Sequence, residues 1–564
     1  MQLFPITNYT VFYGKPIPED PFAIIRQYPT DVVLLFLCKA NAALFQIDQS
    51  ILENRLKIIN EVFHALSQAK RARITYLMLQ PKKEVEHKYS IFLNKQSLTW
   101  LIAQCFSFYK PMNDSQTASE MEVHENVFDA ILIANELYYN TSGKFEIGSY
   151  EHIWEIMLRQ QNYVQDLTSM VQNGSIKMMF FLKFIKDQYS EGNLWVEEFC
   201  SNLGIQNFFK YSNFFMDLLK RVYDDHLGDG KIRWQIESNP EYKILIDRFA
   251  HRPADFLNAD STETLHGGLI PKPIYFAMDQ YAIIIDFNFL GWIIETALPF
   301  NFYSYTSMRK IDQMSKYSSF KGILGKGFYE EFIGQMLIGR IFSNSVCLNG
   351  EEINSITDQM IISETDIYLF EFKSASLNYR VLDQLDIKGF KSFLDKTFLG
   401  DKKLEGKNRG VFQLKRCIDE VSAENIPSVS CRLKKRIKYA VYPIIVYIDP
   451  VLENHGVNAY CNVVFLQEIE KFRPSFRHIY PLTMINLNFF LLNYNKLCSK
   501  PTLLKKYIKE YHKRIASDKK SFKRSNIPLL SLKASISFDN YIKKHLTRDI
   551  DSIRRIADDF DLPR

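Results

Sequence analysis

Apolar residues fall at Leu52, Leu56, Ile59, Phe63 and Leu66, at spacings of four, three, four and three. That period predicts an amphipathic helix, and "SILE" from Ser50 fits a capping box at its start. Similar patterns recur in "NVFDAILIANELYY" and "NFFMDLLKRVYDDHL", so residues 1–236 read as a mostly α-helical region. Beyond it the texture changes. The stretch "PKPIYFAMDQYAIIIDFNFL" holds two apolar runs about a turn near Asp279-Gln280, which predicts a β-hairpin in a small strand-containing region, 237–320. The polar run "RKIDQMSKYSSFKG" marks its end.

Between 321 and 495 the two periods alternate. Helix is expected over "GFYEEFIGQMLIGRIF", strands at "DQMII" and "DIYLFEF", helix at "GVFQLKRCIDEVS", a strand at "YAVYPIIVYID" and helix at "LTMINLNFFLLNYNKL". Interleaving of this kind predicts an α/β domain with a central mixed sheet flanked by helices. Residues 496–564 read as a basic helical segment. The expected fold class is therefore multidomain α+β.

One strand carries charge where a buried strand should have none. Ile367, Leu369, Glu371 and Lys373 share one face of "DIYLFEFK", while Tyr368, Phe370 and Phe372 share the other. A carboxylate followed by an ammonium is costly there unless the strand emerges into a polar site. If "SETD" is the turn, centred between Glu364 and Thr365, facing residue numbers keep a constant sum and Asp358 lies opposite Glu371. An odd-length loop would send Asp358 to the other face. Two facing carboxylates repel, and a hard divalent cation such as Mg²⁺, for which Mn²⁺ can substitute, removes that repulsion. Lys373 would then polarise an attacking water or offset charge in the transition state.

Composition narrows the class further. The chain has 564 residues, 46% hydrophobic and 24% charged, with 44 Phe and 31 Tyr, which suits two to four folded domains. Its net charge of +6 is small, but unevenly spread. Lys496–Arg564 holds 18 Lys and Arg against 8 Asp and Glu, and Lys402–Lys438 holds 11 against 4. Eight cysteines are scattered singly, without a CxxC pair, and read as reduced cytosolic thiols. Neither a signal peptide nor a membrane span is expected, so the chain reads as cytoplasmic with no membrane partner. No GxxxxGK[ST] loop is present, and "GILGKGF" lacks its glycine spacing.

Asp358, a short strand and turn, and then Glu371-Phe372-Lys373 resemble the motif of the PD-(D/E)XK, or restriction-endonuclease-like, nuclease superfamily. The resemblance covers about residues 321–470. It implies that Asp358 and Glu371 bind Mg²⁺ and that Lys373 acts on the attacking water. It implies a further metal-binding Glu on the preceding helix. Glu330 is favoured over Glu331 because Ile333, Leu337 and Ile341 follow it at three, seven and eleven. Gln413 resembles the Gln that many members carry on the following helix. Thr357 stands where the motif's namesake Pro would be. The activity implied is metal-dependent hydrolysis of nucleic acid, DNA ahead of RNA, in the manner of bacterial defence against foreign DNA. Cutting both strands with one site per chain would favour a homodimer, and the helical N-terminal region could bind a partner protein.

The competing expectation is a nucleic-acid-binding or assembly protein that keeps this fold without its activity. Asp366 is a rival first acid, placed in the turn. Asp386-Ile-Lys388, Glu405-Gly-Lys407 and Asp518-Lys-Lys520 repeat the acid-x-Lys spacing without the strand and paired Asp, and read as solvated faces. In the C-terminal segment, Tyr507, Tyr511, His512 and Phe522 are candidates for stacking on bases beside its Lys and Arg.

Overall fold

The computed structural model describes residues 6–46, 51–80, 90–111, 118–139, 145–146, 148–161, 167–220, 233–235, 242–252, 255, 268–277, 281–400, 409–433, 435–525, 528–543 and 551–563. Most of them are helical, with two mixed sheets, so the class is α+β. The chain divides into two compact units: Met1–Ser142 with Tyr163–Val171 and Leu194–Thr306, and Gly143–Asn162 with Gln172–Asn193 and Ser307–Arg564. The four segments read from sequence texture thus become two units that share the chain. The expected boundary near 320 lies inside the helix Tyr317–Ile323, whereas the chain enters the second unit for the last time at Ser307.

In the first unit, helices such as Thr30–Gln46, Lys95–Ser107 and Glu120–Tyr139 bury Leu34, Leu37, Leu98, Leu101, Phe128 and Ile131. The helix expected from Ser50 runs Leu52–Val62 and starts from Ile51 without a side-chain cap. Ser50 lies outside the described residues. Phe63 and Leu66 are buried but follow the helix, because the chain turns at His64 before Gln68–Leu79 begins. The unit's sheet has strands β1 (Arg233–Gln235), β2 (Ala250–His251), β3 (Ile274–Ala277) and β4 (Tyr281–Ile284) in the order β1-β4-β3-β2. The expected hairpin is β3–β4, antiparallel with Ala277 opposite Tyr281. Its turn, with Asp279 and Gln280, lies outside the described residues.

The second unit is built on β5 (Val346–Asn349), β6 (Gln359–Ser363), β7 (Asp366–Lys373), β8 (Ala440–Tyr447), β9 (His478–Ile479) and β10 (Thr483–Asn486). Their order is β10-β8-β7-β6-β5, with β9 beside the start of β8. Strands β5, β6 and β7 are antiparallel neighbours, and β8 runs parallel to β7, β9 and β10. Strand β10 falls in "LTMINLNFFLLNYNKL", which periodicity alone assigns to helix. Four residues, Thr483–Asn486, pair with β8 before the helix Leu487–Leu492 starts at an Asn486 cap. Pro443 is tolerated in β8 because it falls between the stretch paired to β9 and that paired to β10.

Helices cover both faces. Ile367 and Leu369 of β7 join a core with Phe390, Leu394, Leu414, Ile418 and Phe465, from the helices Ile387–Leu394, Val411–Ser422 and Val457–Ile469. On the opposite face Tyr368 packs on Phe342 and Tyr442, and Phe370 on Phe490. Strand β7 is therefore buried along both sides, as its near-continuous apolar run requires.

Candidate functional site

A two-residue turn at Glu364-Thr365 joins β6 to β7, with Ser363 opposite Asp366. Glu364 takes the left-handed conformation there, at φ 52°. The ladder continues to Gln359 opposite Phe370, so the next position sets Asp358 against Glu371, the register that the turn demands. Asp358 sits one residue beyond the last paired position. Its Oδ2 accepts a hydrogen bond from the Phe372 backbone N–H at 2.6 Å, which pins the acid beside the end of β7.

Glu371 is fully buried. Its carboxylate accepts from the Lys373 ammonium in a short ion pair, and Thr357 Oγ1 lies 3.3 Å from its other oxygen. Thr357 Oγ1 is also 2.9 Å from the Phe370 carbonyl, to which it can donate. This Thr thus ties the loop to β7 by side-chain hydrogen bonds that a Pro could not make. Nothing in the sequence pattern marked that role.

Lys373 also donates to Gln413 Oε1 at 3.1 Å. The same oxygen accepts from the Gly410 N–H at 2.8 Å, so Gln413 both orients the ammonium and closes the first turn of Val411–Ser422. Gly410 has φ +48°, and a Cβ there would press on the Phe398 backbone, so glycine is the residue that fits.

Glu330 comes from the expected helix, which takes a wider form than anticipated. Leu324–Gln335 is π-helical and continues as the α-helix Met336–Ile341. Ile333, Leu337 and Ile341 are buried as expected. Glu330 faces Asp358, close enough to share a hydrogen bond once one of the two is protonated, whereas Glu331 points outward toward Lys326 at 3.8 Å. Two glycines let this helix approach β7: a Cβ on Gly334 would collide with the Phe372 ring, and one on Gly325 with Ser374.

Burial raises all three acids, and neighbouring carboxylates add to the rise of Glu330 and Glu371. Loss of water pushes Glu330 up to about 8, with Asp358 and Glu371 adding repulsion and Lys373 opposing it. Burial pushes Glu371 up to about 7, against the pull of Lys373. Asp358 is raised by burial and held back by Lys373, the Phe372 N–H and Glu330. Crowding of Glu330 against Asp358 thus favours a proton shared between them. Glu330 faces Asp358, and Glu371 pairs with Lys373. The one described trio of metal-ligating side chains whose donor atoms all lie within 4.8 Å of one another is elsewhere, at His64, Glu120 and His124.

The rival residues have other duties. Asp366, at the far end of β7, is buried between Lys505 at 2.7 Å and Arg477 at 3.3 Å. Asp386 caps Ile387–Leu394 through the Gly389 N–H at 2.9 Å. Asp518 pairs with Arg514 at 2.8 Å, and Glu405-Gly-Lys407 lies outside the described residues. In the basic helix Thr502–Ser525, Tyr511 is buried against Phe538 and hydrogen-bonds the Ile536 carbonyl, while His512 shares a 2.8 Å hydrogen bond with Thr483. Those two rings are committed to the core and are not free to stack on bases. Tyr507 is half-buried and the Phe522 side chain lies outside the described residues. Lys506, Lys509, Lys513 and Lys520 remain exposed on the same helix.

Among the described residues no helix is long and apolar enough to cross a membrane. No family model, curated protein or solved structure matches the chain.

Proposed function

We propose that the chain is a metal-dependent nuclease of the PD-(D/E)XK kind, acting on DNA ahead of RNA, with its site at the end of β7. The observation that carries this reading is the convergence of Asp358, Glu371 and Lys373 at the end of β7, with Glu330 facing Asp358 from the adjoining helix. The donor set is all oxygen and mostly withdrawn from water, which suits Mg²⁺ and does not suit a thiophilic ion. Asp358, Glu371 and Glu330 would hold the ion. When bound, it supplies Lewis-acid stabilisation of the phosphate and lowers the pKa of water.

The chain's own residues do the rest. Loss of the proton shared with Glu330 would free an oxygen of Asp358, while Oδ2 stays on the Phe372 N–H. Lys373, held by Gln413, would stay at the end of β7 with Glu371 serving as a ligand, and its N–H groups would orient the water whose oxygen attacks phosphorus. As the new P–O bond forms, the attacking water gives up a proton to solvent, the bond to the leaving sugar oxygen breaks, and that oxygen takes up a proton from solvent. The exposed lysines of Thr502–Ser525 supply phosphate contacts along the backbone.

The test is direct: plasmid, single-stranded DNA and RNA incubated with purified chain in Mg²⁺, Mn²⁺ or EDTA. Cleavage that needs metal and is lost in Lys373→Ala and Asp358→Ala supports the reading. Cleavage that survives both substitutions refutes it, and retention of nucleic acid without cleavage favours a binding protein on the same fold.

A further inference from the structure

In the first unit, the helices Leu52–Val62 and Gln68–Leu79 are joined by a turn that carries His64. Glu120 and His124 lie four apart at the start of Glu120–Tyr139, and so share one helix face. These three side chains come together across about 60 residues of sequence. Glu120 Oε1 is 2.9 Å from His64 Nε2 and 3.9 Å from His124 Nε2. Those separations bracket the roughly 3.3 Å edge of a tetrahedron with bonds of about 2.0–2.1 Å.

His124 is the informative member. It is 1% exposed, its Nδ1 has no hydrogen-bond partner, and its Nε2 stands beyond hydrogen-bond reach of Glu120. A buried imidazole is ordinarily hydrogen-bonded, so this ring is not placed by hydrogen bonding alone. The rings of Phe36 at 4.6 Å and Phe63 at 6.3 Å wall it in edge to face, and His64 lies across it at 4.6 Å. Lys39 and Arg71 bring positive charge toward this ring, and Glu120 brings negative charge.

We infer that His64, Glu120 and His124 form a binding site for a zinc-class divalent cation, through two imidazole nitrogens and one carboxylate oxygen. His64 and Glu120 are largely exposed, so a fourth position faces solvent and takes water. Imidazole donors favour Zn²⁺, Co²⁺ or Ni²⁺ over Mg²⁺. Glu120 supplies one negative charge, and Lys39 and Arg71 oppose the ion, which places the affinity below that of a closed structural zinc site. Bound metal would staple the turn at His64 to the first turns of Glu120–Tyr139. The site is separate from the acids of β7 and does not depend on the nuclease reading.

The test uses the full chain, stripped with EDTA and titrated with Zn²⁺ by calorimetry, in excess Mg²⁺ to occupy the acids of the sheet. A parallel titration on Asp358→Ala, which breaks up that acid group, checks that the signal does not come from it. The expected result is one Zn²⁺ per chain, not displaced by Mg²⁺, with visible absorption on Co²⁺ loading. His64→Ala and Glu120→Gln, both at exposed positions and checked as folded by circular dichroism, should each weaken Zn²⁺ binding by about tenfold or more. A folded chain that binds no Zn²⁺, or His64→Ala and Glu120→Gln variants that bind it as tightly as the parent, overturns the site.

Discussion

Glu330, Asp358 and Glu371 place three carboxylates in a largely dehydrated corner with one ammonium, Lys373, among them. A buried acid whose pKa is raised above its unfolded value contributes stability that is full below about pH 4 and is lost as the pH passes its folded value. With Glu371 near 7 and Glu330 near 8, the metal-free protein is expected to lose stability between about pH 5 and pH 8.5. Glu330→Gln removes part of that cost. Its melting temperature without metal should match wild type near pH 5 and exceed it by a few degrees near pH 8.5. The same protons compete with a cation, so Mg²⁺ affinity measured by calorimetry should rise with pH over about 6 to 8, and binding should release protons. Mg²⁺ binding that is unchanged across this range would remove these acids as ligands. Gln413 makes a second case. Gln413→Ala leaves Lys373 and the Gly410 N–H without their shared acceptor, which should cost about 1–3 kcal/mol and lower kcat more than it raises KM. At this scale Asp358, Glu371 and Lys373 were legible because strand alternation and turn arithmetic are local rules. Thr357 and the His64–Glu120–His124 group were not, because each depends on a partner brought close only by folding.

The hairpin β6–β7 and the helix that carries Glu330 form one device. The hairpin's register was readable because the turn has two residues and each strand has a buried face, so a slip by one would exchange the two faces. The helix was readable as a helix, and its apolar stripe at Ile333, Leu337 and Ile341 was buried as the spacing required. Its π-helical form was not readable, since glycines at 325, 327 and 334 leave too few side chains to tell one helical period from the other. Gly334 is the point where this matters, because the helix lies directly on the Phe372 ring. Gly334→Ala should push the helix off β7, destabilise the chain by about 1–3 kcal/mol in urea unfolding, and weaken Mg²⁺ binding by moving Glu330. Phe372→Ala alone opens a cavity. In combination with Gly334→Ala it should cost less than the sum of the two, because the clash is gone. Additivity of the two costs would show that the ring is not what the added methyl meets.

The second unit is assembled from three stretches of chain, and two of them precede the domain that sequence texture delimits. Helix Tyr150–Gln161 delivers Trp154, fully buried between Phe390 at 5.4 Å and Tyr460 at 5.3 Å, and Glu151, which pairs with Lys391 at 2.6 Å. Phe180, Phe181 and Phe184, from the Gln172–Asn193 stretch, pack on Phe328 and Phe332 on either side of Glu330. An insertion of this kind leaves no local trace, because an aromatic on an amphipathic helix reads the same whichever core receives it. The consequence is a sharp expectation about truncation. A chain begun at Ser307 keeps every strand of the larger sheet and all the proposed catalytic residues, yet it exposes the surface that Trp154 fills and removes the aromatics behind Glu330. It should fail to give a cooperative unfolding transition and should be cleaved rapidly by protease at its sheet-covering helices. In the full chain Trp154→Ala should cost about 3–5 kcal/mol, the range for deleting a buried aromatic. If the Ser307–Arg564 chain instead folds with the thermal stability of the whole protein, the two earlier stretches are ornaments on a self-sufficient domain. Nuclease activity of that shorter chain would then show that Glu330 holds its position without the buttress of Phe180, Phe181 and Phe184.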